Sequence, residues 1–381
     1  MKGPDARAVA VDALVRIEDG AYANLAVPSL LDRSHLDGRD RAFVTDLVYG
    51  TTRMRRACDW LVSPALDRPI ERLDSGVRAA LRLGAYQLAF LRTPPHAAVS
   101  ATVDAAPPRA RGLVNAVLRK VATAASGSEP AWPDDATRLS YPDWIVERLT
   151  TDLGPTDALA ALEHMNRPAE VHTRSDGYVQ DEASQWVAAY VGSHPGGGPT
   201  LDLCAAPGGK ATAIAEGGGL VVASDVQAAR TGLIVTNVGR LGLANVAVVQ
   251  ADGRHPPYRP ARAARLLLDA PCSGLGVLRR RPDARWRMTP ESVTELAGLQ
   301  RDLLAAAVPL LAPGGALVYS VCTLTAAETT EIDDWLLAIH PELVPVAPPG
   351  PPWEPTGRGS RLLPQTVGSD GMFVLGLRNP R

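Results

Sequence analysis

Lysine is nearly absent: Lys2, Lys120 and Lys210 are the only three in 381 residues, and arginine supplies almost all the positive charge. Arginine preference alone is only weakly tied to nucleic acid, and coding base composition accounts for it as well. The formal net charge of -2 gives no global basic field, so any nucleic-acid surface must be a local patch. Cysteine is scarce too. Cys58, Cys204, Cys272 and Cys322 form no CxxC pair, and no His/Cys cluster has zinc-ligand spacing, so no metal site is expected. The opening segment MKGPDARAVAVDALVRIEDG lacks the uninterrupted apolar core of a secretion signal. No stretch reaches the roughly 18 apolar residues of a membrane span. A cytoplasmic protein with reduced thiols and no membrane partner is the expectation. Internal repeats and long low-complexity tracts are missing as well.

What is present is a chain too long for one ordinary core, with the 46% hydrophobic and 21% charged composition of a globular protein. Residues 1–126 read as all-helical. Apolar residues recur at helical spacing in ARAVAVDALVRI, RAFVTDLVYGTTRM and VRAALRLGAYQLAFL. Asp40 is placed to cap the second of these and Asp74 the third. This region holds 18 Lys+Arg against 13 Asp+Glu. Residues 122–135 are small, polar and proline-bearing, as in a linker, and 136–170 read as helical again. From about 178 the pattern changes. A helix at DEASQWVAAYVG precedes short apolar runs that alternate with helices: TLDLC, GLVVASD, VAVVQAD, RLLLDAP and GALVYSVC, with MFVLGL as a closing strand. Strands alternating with helices predict a largely parallel sheet covered on both faces.

Five segments carry the chemistry. In Leu201-Asp-Leu-Cys-Ala-Ala-Pro-Gly-Gly-Lys210 a buried strand runs through a Pro-Gly-Gly turn into a helix start. Glycine permits close ligand approach, and the helix start offers free N–H groups. Neither GxGxxG nor GxxxxGK[ST] is present, and an ordinary strand–turn–helix has the same outline. Asp225 closes the second strand, where a carboxylate can accept both ribose hydroxyls of a nucleoside. Asp252 closes the third; either acid could instead cap its own loop. Leu268-Asp-Ala-Pro-Cys-Ser-Gly-Leu-Gly276 sets Asp269 and Cys272 at the end of a fourth strand, and Val318-Tyr-Ser-Val-Cys-Thr323 sets Cys322 at the end of a fifth. A lone cysteine is more often a small buried hydrophobe than a catalyst, and placement leaves both readings open. Last, Leu278-Arg-Arg-Arg-Pro-Asp-Ala-Arg-Trp-Arg287 packs five arginines and a tryptophan into ten residues. That mixture suits phosphates and base stacking, or else a solvated loop.

CAAPGGK, DAPCSGLG followed by RRRPDARW, and YSVCT resemble the RsmB/Sun family of 16S rRNA 5-methylcytosine methyltransferases. In the helical part YANLAVPSLL, RDRAFVTDLVYGTTR, LRLGAYQLAFL, PPHAAVSATV and LVNAVLRKVA resemble the NusB-like RNA-binding domain of the RsmB branch. The resemblance implies an α/β Rossmann-like methyltransferase domain over 178–381, an all-α NusB-like domain over 1–126, and a helical connector over 127–177. It implies S-adenosyl-L-methionine as cofactor, held by Cys204, Ala205, Ala206, Pro207, Gly208, Gly209, Lys210, Asp225, Asp252 and Asp269. RNA is the implied partner: 16S rRNA or a small-subunit assembly intermediate, methylated by a monomer at cytosine 967. Cys322 would be the nucleophile, Cys272 would assist product elimination, and Asp269 would face the target base. In the family a longer stretch lies between HTRSDG and VQDEASQ, forming part of an RNA-contacting subdomain; here about eight residues, 171–178, bridge it.

The implied chemistry is physically coherent. Carbon 5 of cytosine is a poor nucleophile until a thiolate adds to carbon 6 and loads the ring with electron density. An acid near the ring nitrogen stabilises the adduct, and a base must remove the carbon 5 proton. A free thiol with pKa about 8.5 is mostly protonated at neutral pH, so Cys322 needs local activation. The target base must also leave its stack. Three other readings compete: a different rRNA or tRNA cytosine, a small-molecule substrate, and an RNA-binding module without activity.

Overall fold

The computed structural model describes residues 5–91, 93–125, 127 and 130–380. The chain divides into two compact units. The first takes in residues up to Val146 together with Arg281–Arg287; the second takes in Glu147–Arg280 and Met288–Arg381. The division therefore falls about twenty residues later than the linker composition suggests. Residues 126, 128 and 129 of that linker lie outside the described residues.

The first unit is helical, with α1 (Ala6–Glu18), α2 (Ala23–Arg33), α3 (Gly38–Arg53), α4 (Arg55–Val62), α5 (Ser75–Ala89), α6 (Pro95–Ala105), α7 (Arg111–Ala125) and α8 (Asp135–Leu139). No strand occurs here among the described residues. Helix α5 is the central rod: every residue from Ala79 to Leu88 is buried. Its Leu81, Leu83 and Leu88 join Leu14, Leu47, Val48 and Leu118 in one core, because apolar residues at helical spacing on each neighbour face inward. Capping departs from expectation in two places. Asp37, not Asp40, caps α3, its carboxylate accepting from the Asp40 N–H at 2.8 Å. Asp74 occupies the cap position of α5 but makes no side-chain capping bond.

Helix α9 (Asp143–Leu153) runs across the division. The second unit continues with α10 (Pro155–His164), α11 (Glu182–Ser193), β1 (Thr200–Asp202), α12 (Gly209–Glu216), β2 (Val221–Asp225), α13 (Ala228–Leu241), β3 (Val246–Gln250), β4 (Ala263–Asp269), α14 (Pro290–Ala307), β5 (Leu311–Val321), α15 (Thr330–Ile339), β6 (Val344–Pro345), β7 (Glu354–Thr356), β8 (Gly359–Leu362), α16 (Pro364–Val367) and β9 (Met372–Arg378). The sheet order is β3-β2-β1-β4-β5-β9-β8-β7, with β6 beside β9. Strands β1 to β5 are parallel, whereas β9 runs antiparallel to β5. The six strands read from the sequence are all there; the short β6, β7 and β8 have no alternating apolar pattern to reveal them. Strand order reverses at β1, which pairs with β2 on one side and β4 on the other. A ligand crevice forms where strand order reverses, outside the carboxyl ends of the strands. Apolar clusters on the two faces of the sheet, one around Leu266, Leu304 and Leu336 and one around Val187, Ile214 and Leu267, fix the layers.

One close approach ties the site loops to the sheet. Gly276 donates to the Cys322 carbonyl at 3.0 Å and accepts from Gly371 N–H at 2.9 Å. A Cβ on Gly276 would lie 2.1 Å from the Gly371 carbonyl oxygen, which is backbone and cannot swing aside. Gly276→Ala is therefore expected to destabilise the fold by about 2–3 kcal/mol. Urea unfolding measures this; an unchanged midpoint would contradict the packing.

Candidate active site

Strand β1 ends in Asp202, and the chain turns through Leu203–Gly208 into α12. Gly208 has φ +105°, a conformation only glycine holds without strain, and its N–H donates to the Ala205 carbonyl at 2.7 Å. This turn presents Cys204 through Lys210 at the crevice. Asp202 is wholly buried and neither of its carboxylate oxygens has a hydrogen-bond partner among the described residues. Burial, reinforced by the nearby Asp269 charge, pushes its pKa up to about 8. The same burial, with Asp202, Asp225 and Asp269 adding to it, drives the Cys204 thiol upward, so Cys204 is a neutral wall residue.

Asp225, at the end of β2, is sealed in, accepting from the Gln227 N–H at 3.2 Å with Arg230 at 3.4 Å. Asp252, beyond β3, is gripped by Arg254, which donates to both its oxygens, and it also accepts from the Arg254 backbone N–H. Those bonds pull its pKa down to about 2. The segment 171–178 makes a tight turn closed by a Thr173–Val179 bridge. Its Arg174 is buried and donates to the Gly209 carbonyl at 2.7 Å and to Thr212 Oγ1 at 3.2 Å, which anchors the start of α12.

The other half of the site is built on β4 and β5. Register pairs Asp269 with Ser320, and Ser320 Oγ donates to Asp269 Oδ1 at 2.7 Å while Lys210 Nζ donates to Oδ2 at 2.7 Å. Burial opposes the Lys210 charge, but the Asp269 carboxylate outweighs it, helped by Cys322, and holds the ammonium above its ordinary value. Lys210 thus orients Asp269 within the turn it was expected to line. The two thiols converge: Cys272 Sγ and Cys322 Sγ are 3.3 Å apart. The hydrogen bond to Cys322, then burial, then the Cys322 charge, raise the Cys272 thiol well above its usual range. The fourth cysteine, Cys58, is buried in the core of the helical unit.

Glu328, which sequence reasoning missed, holds the thiol loops in place. It is fully buried and accepts from Ser273 N–H at 2.8 Å, Ser273 Oγ at 2.5 Å, Gln300 Nε2 at 3.0 Å and Thr325 Oγ1 at 2.9 Å. Ser273 also bonds Thr323 Oγ1 at 2.8 Å, and Gln300 reaches the Pro271 carbonyl at 2.9 Å. The residues flanking each cysteine are thereby locked to one another. Asp202 did have a sequence signal, as the only acid in the apolar run TLDLC; Glu328 had none, because its partners Ser273 and Gln300 are 55 and 28 residues away.

The arginine run is not a free RNA-facing patch. Arg280 bonds Asp370 and Asp181, and Arg279 bonds His164. Arg285, wholly buried, donates to the Arg53 and Ser140 carbonyls and lies over the Tyr141 ring at 3.8 Å. Arg287 pairs with Asp283 at 2.6 Å. Only Arg281 is exposed. A guanidinium's many donors make it able to satisfy buried carbonyls and carboxylates, and here that use prevails.

Residues 194–378 match the family profile described as 16S rRNA methyltransferase RsmB/F, and 4–123 match the NusB family. The chain is 37% identical to ribosomal RNA small subunit methyltransferase B of Thermus thermophilus, over 99% of this chain and 98% of that protein. The chain belongs to the RsmB/F methyltransferase family. Like the RsmB/F proteins it is an S-adenosylmethionine-dependent RNA methyltransferase. The Salmonella paratyphi B protein of the same name is 30% identical over 96% of this chain and 97% of its own length. The solved protein PH0851 shares the fold, with a TM-score of 0.79 and 23% identity over 99% of both chains. The alignments to the two RsmB/F relatives span 409 and 424 positions against the 381 residues here, so both relatives carry segments that this chain lacks.

The residues of the crevice fit the cofactor. Two orphaned, buried carboxylate oxygens beside the Gly208 turn suit its ammonium group, and Asp225 at the end of the next strand suits a ribose.

Asp202 makes a pH prediction. Its folded pKa, about 8, lies above the unfolded value near 4. Between these values the unfolded chain releases a proton that the folded chain keeps, so this group lowers stability as pH rises, and the loss stops above pH 8. Asp202→Asn removes that dependence. The stability of the variant relative to wild type should climb from pH 5 to 8 and then level off in urea titrations. A pH-independent difference would refute the assignment.

Proposed function

We propose that this enzyme methylates carbon 5 of a cytosine in small-subunit ribosomal RNA through a covalent adduct at Cys322. The observation that carries this reading is the 3.3 Å thiol pair beside the Lys210–Asp269 ion pair. Two thiols this close share one proton, because two adjacent thiolates repel. Lys210 lies near enough to Cys322 for each to shift the other's charge, and Cys272, held high by the same neighbour, keeps the proton. Cys322 is then the thiolate and attacks carbon 6 of the flipped-out base.

Adduct formation spends the Cys322 charge in a carbon–sulfur bond. The first cause of the raised Cys272 pKa disappears, so its thiol can give up its proton and become the thiolate base that the release step needs. Asp269, fixed by Lys210 and Ser320, faces the ring and relays that proton to the ring nitrogen, which neutralises the electron-rich adduct. Residues 204–210 with Asp202 and Asp225 hold S-adenosylmethionine, which when bound supplies the electrophilic methyl group. The Cys272 thiolate takes the carbon 5 proton, the ring nitrogen returns its proton to water, the ring double bond re-forms, and the carbon–sulfur bond breaks to return the Cys322 thiolate. The relatives named ribosomal RNA small subunit methyltransferase B support a small-subunit ribosomal RNA target; the proposed site is cytosine 967 of 16S rRNA, with a monomer as the acting species and the cytoplasm as its location. The short Thr173–Val179 turn favours a second reading, another ribosomal or transfer RNA cytosine, because the segments that relatives carry and this chain lacks leave less surface for choosing the target.

Cys322→Ala should abolish methylation. Cys272→Ala should trap a protein–RNA adduct, seen as a slow band in denaturing gels. An adduct in the Cys322 variant instead would reverse the roles. Mapping 5-methylcytosine in RNA from deletion and wild-type cells tests the target: loss of the cytosine 967 mark is expected, and loss of a different mark would support the second reading.

A further inference from the structure

Methyl transfer uses Cys322 and Cys272 each toward the base, but two thiols this close also have a chemistry with each other. The sulfurs lie 3.3 Å apart, on loops that leave the neighbouring strands β4 and β5. Both residues are half-buried, whereas Cys58 is sealed in a core. The backbone around the pair is already tied together. Ser273 Oγ bonds Thr323 Oγ1 at 2.8 Å, and the Gly276 N–H bonds the Cys322 carbonyl at 3.0 Å.

A disulfide holds its sulfurs about 2.05 Å apart. Closing the 3.3 Å gap takes about 1.2 Å of sulfur movement, shared by two side chains, which small χ1 rotations supply. No chain rearrangement has to come first. The Lys210 ammonium, fixed 2.7 Å from Asp269, lies close enough to Cys322 to favour its thiolate, and the thiolate is the form that oxidants attack.

We propose that Cys272 and Cys322 are a modification site at which a hydroperoxide forms a reversible disulfide. The Cys322 thiolate attacks the outer peroxide oxygen. The oxygen–oxygen bond breaks, an alkoxide or hydroxide leaves, and the sulfur, oxidised by two electrons, becomes a sulfenic acid. Cys272 then attacks that sulfur. The sulfur–sulfur bond forms, the sulfur–oxygen bond breaks, and the departing hydroxide takes the Cys272 proton and becomes water. The hydroperoxide has gained both electrons. Because Cys272 stands beside the sulfenic acid, it captures that sulfur before a second peroxide carries it on to the irreversible sulfinic acid. A small thiol reverses the bond by exchange through a mixed disulfide. The disulfide removes both groups that methyl transfer needs and so turns it off, a consequence that rests on the Cys322 reading above; formation of the bond rests on the geometry alone.

Treating the full chain with hydrogen peroxide, then blocking the remaining thiols and mapping peptides by mass, tests the site without RNA. Wild type should yield a Cys272–Cys322 cross-linked peptide that dithiothreitol removes. In Cys272→Ser, Cys322 should instead accumulate sulfinic acid that dithiothreitol does not remove. Methylation assayed on the same wild-type samples separates the two readings. Activity lost as the disulfide forms, and regained on reduction, supports both. A disulfide that leaves methylation intact supports the modification site and counts against Cys322 as the nucleophile. Wild-type Cys322 passing to sulfinic acid without a cross-link, or both thiols staying reduced at a peroxide concentration that oxidises free cysteine, would overturn the proposal.

Discussion

The second unit is organised around one electrostatic constraint: two thiols 3.3 Å apart beside a buried ammonium. One thiolate in this position is stabilised and two are not. The surroundings preserve that distance. Glu328 bonds the residue after Cys272 and, through Ser273, the residue after Cys322. Gln300 holds the carbonyl just before Cys272, and Gly276 bonds the Cys322 carbonyl itself. A buried carboxylate with four donors is stable only while all four stay in place. The network thus makes the geometry all-or-none: losing one bond exposes the desolvation cost of the others.

The parallel topology explains why the thiols meet at all. Strands β4 and β5 are neighbours with Asp269 opposite Ser320, so the loops that follow them leave the sheet side by side. Asp202 and the Gly208 turn emerge from β1, on the other side of β4. The Gly208 turn and the thiol pair are consequently adjacent edges of one crevice, joined by the Lys210–Asp269 bond, which spans from α12 to β4. The buried carboxyl of Asp202, unpartnered among the described residues, is costly to ionise, which is why its pKa is pushed up to about 8.

Much of this was legible in the sequence because it is local. Apolar runs announced the six main strands, and the Pro-Gly-Gly turn announced the start of α12. The two cysteines stood at strand ends, but a short motif says nothing of a partner fifty residues away, so the pairing distance could come only from strand register. Glu328 was invisible for the same reason. The arginine run misled because composition does not report burial: Arg285 looks like a surface charge in RRRPDARW and is one of the largest fully buried side chains of the molecule. The capping error has a smaller cause, since Asp37 and Asp40 both precede the same apolar run and the earlier one takes the cap.

The central claim is that the pair carries one negative charge and that Cys322 holds it. Alkylation with iodoacetamide across pH, with each thiol followed by peptide mass analysis, measures this directly. The account predicts that Cys322 is modified first and at lower pH, and that Lys210→Met shifts its profile to higher pH. Modification of Cys272 ahead of Cys322 would contradict it, as would a profile indifferent to Lys210.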